Sequence, residues 1–476
     1  MSGPMIPGDA TFNDLRSSLR GELIRPGDPG YESGRQVWNG MIDRHPLLIA
    51  RPAGAADVIT CVQFARSNGL LLAVRGGGHN VAGFGTCDDG MVIDLSPMKD
   101  ARVDPQGLSV RAQPGLTWRD LDAETQAFGL ATTGGLVSST GIGGFTLGGG
   151  IGWLMRKHGL ACDNLLSADV VTADGRLLRA SPRENDDLFW GLRGGGGNFG
   201  IVTSFEYRLH PVGPAVLGGA IFHPLERARE LLAFYREWTR GLPDEVTSMV
   251  AVLTAPPAPF IPPEHRGTKM ISVALCCSGP GEEGREAVRA LNAFAPPASG
   301  AIGLMPYTSL QSMFDASAPF GINAYWKTAY LSDLTQGAID SLVRFAGSMP
   351  SPLSAIHIHH AEGAVQRVGE EESAVGHRDS PYILNLLGMC ADRGQSEEVT
   401  AWARACHREM EPVSNSAGYL NFLGDDGQER IAAAYGPAGF RRLRDLKRKY
   451  DPTNLFRVNQ NIKPAARSSR ARVSGT

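Results

Sequence analysis

The 476-residue chain is 42% apolar and 20% charged, with a net charge of −3 from 46 Lys and Arg against 49 Asp and Glu. That balance gives no basic field for nucleic acid or an anionic membrane surface. No apolar run approaches the roughly 20 residues of a membrane span, and the first residues lack the basic and apolar regions of a secretory signal. The length predicts one large two-part protein or two to three domains. Seven scattered cysteines without a C-x-x-C pair read as free thiols in a reducing, cytoplasmic compartment.

Residues 1 to about 45 are punctuated by Pro and Gly, with one short helix predicted around Phe12–Ile24. Leu47–Pro52 reads as a buried strand stopped by proline. Gly54–Gly69 then places Val58, Val62 and Ala65 at helical spacing, with Gly69 at the C-terminal end, and Leu70–Arg75 reads as a second strand. Strand, helix and strand predict a βαβ unit over Leu47–Arg75. Further strands are predicted at Met91–Met98 and Leu108–Gly115, a helix at Thr117–Gly129, and a hairpin at Ser167–Ser181 turning on Asp174-Gly175. Glu184–Gly213 runs from a short helix through a glycine cluster into a strand that ends at Pro211.

Past Pro214 the pattern changes. Amphipathic helices are predicted at Arg227–Gly241, Glu282–Ala295, Gly337–Met349 and Ser396–Met410. Between them lie the strand-like runs Met249–Pro256, Lys269–Ser278, Ala355–Ala364 and Tyr382–Cys390, a second α+β region over about 214–424. Gln428–Asn454 reads as helix, turn, helix broken by Pro452, and the chain from about 465 as disordered.

The stretch Gly134–Leu166 sets most of its glycines among Ile, Phe and Leu. A flexible linker would set them among Ser and charge. The pairing predicts a buried, bent main chain lying against a flat or charged object, its N–H groups converging as a seat for phosphate. Neither GIGGFT nor GGGIGW fits the G-x-G-x-x-G grammar of a nicotinamide fold, and no P-loop motif occurs. The object proposed is the pyrophosphate and ring system of a flavin dinucleotide; the alternative is a set of tight turns that bind nothing. His79 directly follows Gly76-Gly77-Gly78 at a predicted strand end, where its ring could approach a ligand closely.

Arg75–Asn80, Gly134–Leu166, Leu188–Phe205, Tyr419–Asn421 and Lys447–Asn461 together resemble the berberine bridge enzyme-like family, part of the p-cresol methylhydroxylase/vanillyl-alcohol oxidase (PCMH-type) class of FAD enzymes. The similarity spans about Trp38 to Ile462. It implies an α+β protein with a two-part FAD-binding domain from residues 1–213 and 425–476. Residues 214–424 would form a substrate domain with a large antiparallel sheet flanked by helices. It also implies FAD joined to the protein through His79 at the flavin 8α carbon. A second, cysteinyl bond found in many relatives would fall on Val137, which cannot form it, and Cys162 lies too far along to replace it, so a single link is expected. The expected cofactor shell is His79, Arg75, Gly76, Gly77, Gly78, Asn80, Gly83, Pro114, Gly135, Val137, Thr140, Gly141, Gly143 and Gly144. It continues through Gly148, Gly149, Gly152, Trp153, Leu160, Asp163, Asn164, Gly200, Ile201, Val202, Asn421 and Asn459. Thr140, a small side chain, falls at the mouth of the family's oxygen approach.

The resemblance implies oxidation of an alcohol, amine or activated C–H of a small, aromatic or polycyclic molecule, in specialised metabolism. A base takes a proton, a hydride reaches flavin N5, and O₂ is reduced to H₂O₂. The usual bases are missing. The tyrosine expected after Tyr419-Leu420-Asn421 is Phe422, and Tyr382–Cys390, where other relatives carry a glutamate, holds no acid. In a strand, His357 and His359 would share one face, with Ile358 and His360 on the other. His359, with a pKa near neutral, becomes the candidate base. Tyr419 is the other candidate, against the reading that it only packs on the flavin. A metal held by His357, His359 and Glu362 would need a further ligand, and none stands at recognisable spacing, so no metal is expected. His377-Arg378 resembles a structural pair at a turn. Two rival readings remain: a carbohydrate or oligosaccharide oxidase, against which Val137 argues, and a flavoprotein that performs redox-neutral cyclisation or only binds a ligand. The expected partners are a small-molecule substrate and O₂, with no nucleic acid and no membrane.

Overall fold

Three sheets meet around one cleft in the computed structural model, which describes residues 8–279, 282–415 and 417–466. The first sheet holds β1 (Glu22–Ile24), β2 (Leu48–Arg51), β3 (Leu72–Arg75) and β4 (Met91–Asp94) in the order β1-β2-β4-β3. β2, β4 and β3 run parallel. The helix Ala55–Ser67 links β2 to β3 and buries Val58, Cys61, Val62 and Ala65 against them, so the predicted βαβ unit forms with β4 inserted at its centre.

One expectation changes here. The N-terminal helix is Asp9–Ser18, and the end of the predicted helix is instead β1, paired antiparallel with β2. Gly21 permits the switch, because a Cβ there would lie 2.0 Å from the Arg51 carbonyl oxygen. The buried carboxylate of Asp57 then accepts the N–H groups of Arg20, Gly21 and Ala53 at 3.2, 2.9 and 2.8 Å.

The second sheet has the order β5-β6-β10-β8-β9, formed by β5 (Ala101–Asp104), β6 (Ser109–Ala112), β8 (Leu165–Val171), β9 (Leu177–Ala180) and β10 (Ile201–Arg208). A short pair, β7 (Leu130–Ala131) with β11 (His210–Pro211), lies beside it. Trp118, Phe199, Phe205 and Tyr207 fill its core.

The third sheet has seven antiparallel strands in the order β15-β12-β14-β13-β17-β18-β16. They are β12 (Ala215–Pro224), β13 (Val246–Thr254), β14 (Lys269–Cys277), β15 (Ser299–Pro306), β16 (Asn323–Leu331), β17 (Ala355–His360) and β18 (Tyr382–Cys390). Helices Ala228–Thr239, Gln336–Gly347 and Ser396–Met410 cover one face with Leu231, Leu342 and Trp402 among the buried contacts. The other face turns toward the glycine loops. β12, β15 and β16 were not among the predicted strands. β12 and β15 carry internal glycines that blur alternation, and a Cβ on Gly219 of β12 would lie 2.2 Å from the Ala301 oxygen of β15.

The C-terminal helix Gln428–Tyr450 breaks at Gly436 (φ 68°), followed by Pro437. Beyond it, Lys447 and Asp451 form a fully buried ion pair at 2.8 Å. The Lys447 ammonium also donates to the Asn198 and Phe456 carbonyls, each at 2.7 Å. Asn198 donates to the Gln460 carbonyl and accepts the Ile462 N–H, at 3.0 and 2.9 Å. These bonds stitch the chain end to the loop preceding β10. Of the tail expected to be disordered from about 465, residues 467–476 lie outside the described residues. No helix among the described residues is long and apolar enough to cross a membrane.

Candidate active site

A cavity of about 340 Å³ lies where the three sheets meet. Two kinds of wall enclose it. On one side are Arg75, Gly76, Gly77, Gly78, His79 and Asn80 from the end of β3, Pro114, and the run Gly135, Val137, Thr140, Gly141, Gly143, Gly144 and Gly148. Gly200, Ile201, Val202 and Asn459 continue that side. On the other side β13, β16, β17 and β18 present Met249, Trp326, His357, His359, Asn385, Leu387 and Met389. Tyr419, Asn421 and Phe422 close the gap between the two.

The glycine wall is built by close backbone approach. A Cβ on Gly77 would meet Gly141 N at 2.4 Å, and one on Gly141 would meet Gly77 N at 2.3 Å, so the two loops lie back to back. Gly144 and Gly197 differ, since a Cβ on either would meet nothing within 4 Å. Both line the cavity and leave bare main chain facing it. That is the cradle a flat ring system and its pyrophosphate need, and the residues present fit FAD.

Arg75, at the end of β3, is buried and bonded to Asp94 at 2.7 Å; the two sit opposite each other at the ends of parallel strands. The His79 imidazole stacks on Trp38 with ring centres 5.6 Å apart. Its Nε2 lies 3.1 Å from Ser139 Oγ and its Nδ1 3.5 Å from Thr140 Oγ1. Burial lowers the His79 pKa to about 4, which leaves the ring neutral at pH 7. Asp315 pins the loop that carries Val137 and Thr140. It accepts the Ser138 N–H and hydroxyl at 2.7 and 2.6 Å and pairs with Arg119 at 2.7 Å.

On the opposite wall, His357 and His359 share the cavity face of β17, with ring centres 5.9 Å apart. His360 points the other way and meets Glu362 at 2.8 Å. Burial pushes His359 down to about 3, with the neighbouring His357 adding to the effect, and His357 to about 4. The expectation of a pKa near neutral for His359 is therefore corrected: the site is too dry to favour the cation. His359 Nε2, Asn385 Oδ1 and Trp326 Nε1 are buried without a hydrogen-bond partner in the protein. Tyr419 differs. Its hydroxyl oxygen accepts the N–H groups of Gly150 and Ile151 at 2.6 and 3.1 Å, and Asn421 Nδ2 at 3.1 Å. Burial raises the phenol above its ordinary value despite those donors. Tyr419 thus braces the glycine loop.

Seven residues of the expected shell lie outside the cavity. Gly83 faces Ile42, where a Cβ would come within 2.6 Å. Gly149 backs on the Tyr419 ring and Gly152 on the Gly134 carbonyl. Trp153 is buried against Phe314, and Leu160 sits in the cluster behind Tyr419. Asp163 is paired with Arg378 at 2.7 Å and accepts the Leu160 N–H at 2.8 Å. Asn164 is bonded to the His158 and Leu160 carbonyls and to His210. Arg378 is thus structural, and these seven support the cradle from behind. The sequence reading placed the segment Gly197–Val202 at the cofactor site, and Gly197 lines the cavity; it missed Trp38, Met249, Phe314, Trp326 and Asn385, which carried no signal. Among the described residues no group of three or more His, Cys, Asp or Glu could hold a metal ion.

Residues 46–181 match an FAD-binding domain family, and residues 418–463 a family described as berberine and berberine-like. An FAD-linked oxidoreductase of Dictyostelium discoideum is 31% identical over 457 residues, 95% of this chain and 96% of that protein. The chain belongs to the berberine bridge enzyme-like family of FAD-linked oxidoreductases. Another member, (R)-6-hydroxynicotine oxidase of Paenarthrobacter nicotinovorans, is 30% identical over 468 residues, covering 94% of this chain and 97% of that protein. The crystal structure of 6-hydroxy-D-nicotine oxidase from Arthrobacter nicotinovorans superimposes with a TM-score of 0.85 at 29% identity, over 94% of this chain and 99% of that one. The fold is accordingly PCMH-type, and the protein is an FAD-dependent oxidoreductase.

Proposed function

We propose that this berberine bridge enzyme-like protein is an oxidase carrying FAD on a single covalent bond from His79. It would oxidise an alcohol, amine or activated C–H of a small ring-containing molecule, with O₂ as the final acceptor and H₂O₂ as product. The observation that carries the reading is the shared cavity, which sets a bare glycine wall ending in a neutral His79 across from a sheet bearing His359. Bound there, FAD supplies a two-electron acceptor. The chain does the rest. Gly76–Gly78, Gly141, Gly144 and Gly197 offer main chain to the cofactor. Trp38 fixes the plane of the His79 ring, and the Ser139 and Thr140 hydroxyls fix its rotation. Val137 leaves His79 as the one attachment point. His359, held neutral in a site that disfavours its cation, orients the substrate group that loses its proton. Trp326, Phe422 and Phe314 shield that exchange from water.

A relative named for oxidising 6-hydroxynicotine supports a small ring as substrate. The experiment is to purify the protein, precipitate it with acid and follow H₂O₂ release over a substrate panel. Yellow colour that stays with the pellet, and peroxide on turnover, support the proposal. Colour lost to the supernatant overturns the covalent bond, and turnover without peroxide overturns the oxidase assignment.

A further inference from the structure

The two edges of the seven-stranded sheet are finished differently. At the β16 edge the rest of the chain closes the backbone. Asn39 Nδ2 donates to the Ala324 carbonyl at 2.8 Å, and Asn39 Oδ1 accepts the Ala324 N–H at 3.0 Å. Arg430 donates to the Thr328 carbonyl at 3.0 Å, and the Asn415 N–H to the Tyr330 carbonyl at 3.2 Å. At the opposite edge β15 is the last strand. Among the described residues, no group outside β12 bonds to the backbone of Gly300–Met305.

The free groups can be assigned. The Tyr307 N–H donates to the Pro214 carbonyl at 3.0 Å, one step beyond the pairing of Pro306 with Ala215. Alternate residues of an antiparallel ladder turn their backbone groups to the same side. Met305, Gly303 and Ala301 therefore face β12, while Leu304 and Ile302 present N–H and C=O outward. Sheets in soluble proteins usually guard such an edge with charge, an internal proline or a covering segment. Ser299–Met305 has no charged side chain and no proline, and Pro306 stands only at the end of the strand. Leu304 is 81% exposed, more than any other large apolar side chain among the described residues. Gly303 beside it is also exposed, and a Cβ there would meet nothing within 4 Å. Phe260, 58% exposed, extends the apolar edge at the start of the strand, where its carbonyl accepts the Ser299 hydroxyl.

We propose that β15 is the contact strand of a homodimer, paired antiparallel with the same strand of a second copy about a two-fold axis at Gly303. The strand is complementary to itself. In that register the outward backbone groups of Ile302 meet those of the partner's Leu304, and the reverse, so each free donor finds a carbonyl. Leu304 packs on the partner's Ile302, the two glycines face each other where the chains come closest, and no like charges are opposed. An unrelated strand would have to match this short apolar sequence and its register, whereas a second copy supplies both. β15 lines no part of the cavity, so the contact leaves each active site whole. One strand and its flanks make a small interface, and dimer and monomer exchange over micromolar concentrations.

The test is sedimentation velocity of the purified protein from about 1 to 100 µM. The mean mass should rise to about twice the 50.8 kDa of one chain. Leu304→Lys sets an ammonium into the seam and should hold the mass at one chain throughout, with an unchanged circular dichroism spectrum. Gly303→Cys supplies a second arm. The seven natural cysteines are buried, so the added thiol is the accessible one. Facing Cα atoms of a pair that exchanges no hydrogen bonds lie about 4.5 Å apart, within reach of a disulfide. Copper-phenanthroline oxidation should link this variant into a covalent dimer and leave the natural chain unlinked. One chain mass at every concentration would overturn the proposal. So would a dimer indifferent to Leu304→Lys, or a Gly303→Cys variant that oxidation does not link.

Discussion

One wall of the cavity is made of main chain and the other of side chains, and they respond differently to change. Along Gly76–Gly78, Gly141–Gly144 and Gly196–Gly197 the surface offered to a ligand is peptide, and specificity comes from the absence of Cβ atoms. Such a surface suits a ligand that never varies, and almost any substitution adds atoms where the ligand lies. On β13, β16, β17 and β18 the surface consists of alternate side chains on a sheet whose hydrogen bonds do not depend on them. That wall can be rewritten while the backbone stands. On the proposed function, the first wall is the cofactor seat and the second the substrate face.

Filling the glycine wall should have the largest effect. Gly144→Val puts its side chain into space left open for a ligand, on a short helix that tolerates valine. The purified variant should hold no flavin while keeping the circular dichroism of the natural chain, and normal flavin occupancy would break the comparison. The next effect is indirect. Lys447→Met leaves Asp451 buried without its cation and removes the Lys447 bond to the Asn198 carbonyl. Denaturant unfolding should show a loss of about 3–5 kcal/mol, and a change within error would mean that the clamp is idle. On the side-chain wall, His359→Ala should keep the flavin and its colour but slow flavin reduction about 10²-fold in stopped-flow measurements. Unchanged reduction would mean that His359 does not orient the substrate.

The smallest expected effect is a pH dependence. His357 and His359 hold folded pKa values of about 4 and about 3, against 6.5 for the free side chain. The unfolded chain therefore binds more protons as pH falls below about 6.5, and stability drops through the window from about 6.5 to about 4. Each histidine contributes a slope approaching about 1.4 kcal/mol per pH unit within it. Asp122 works against this trend. Burial raises it to about 7, so the stability it contributes is lost as pH rises from its ordinary 3.8 toward 7. Melting curves of His357→Phe should show a shallower acid slope than the natural chain. An identical slope would place the acid sensitivity elsewhere.

The two walls were also unequally legible in the sequence. Glycine among core residues leaves a mark wherever backbones must approach, and the sequence shows it at Gly141–Gly144 and at the Gly76–Gly78 run before His79. The mark does not say what the backbone approaches. Gly144 faces the cavity, whereas Gly152 faces the Gly134 carbonyl, where a Cβ would sit at 1.8 Å, and the two read alike along the chain. Asp163 and Asn164 carried polar groups suited to a cofactor, but Arg378, Leu160 and His210 take them up, and those partners are distant in sequence or hidden in a turn. The substrate wall was legible only where alternation was strict, as in His357 and His359. Asn385 lies mid-strand in an apolar run with nothing local to mark it, and Trp38 and Trp326 meet with ring centres 5.5 Å apart across almost 300 residues of sequence.

The most direct test of a flavin tethered at residue 79 is the intact mass of the denatured protein and of His79→Ala. The natural chain should carry one FAD through denaturation, and the variant should appear at the mass of its own sequence. A natural chain without added mass, or a His79→Ala variant that still carries the flavin, would contradict the assignment.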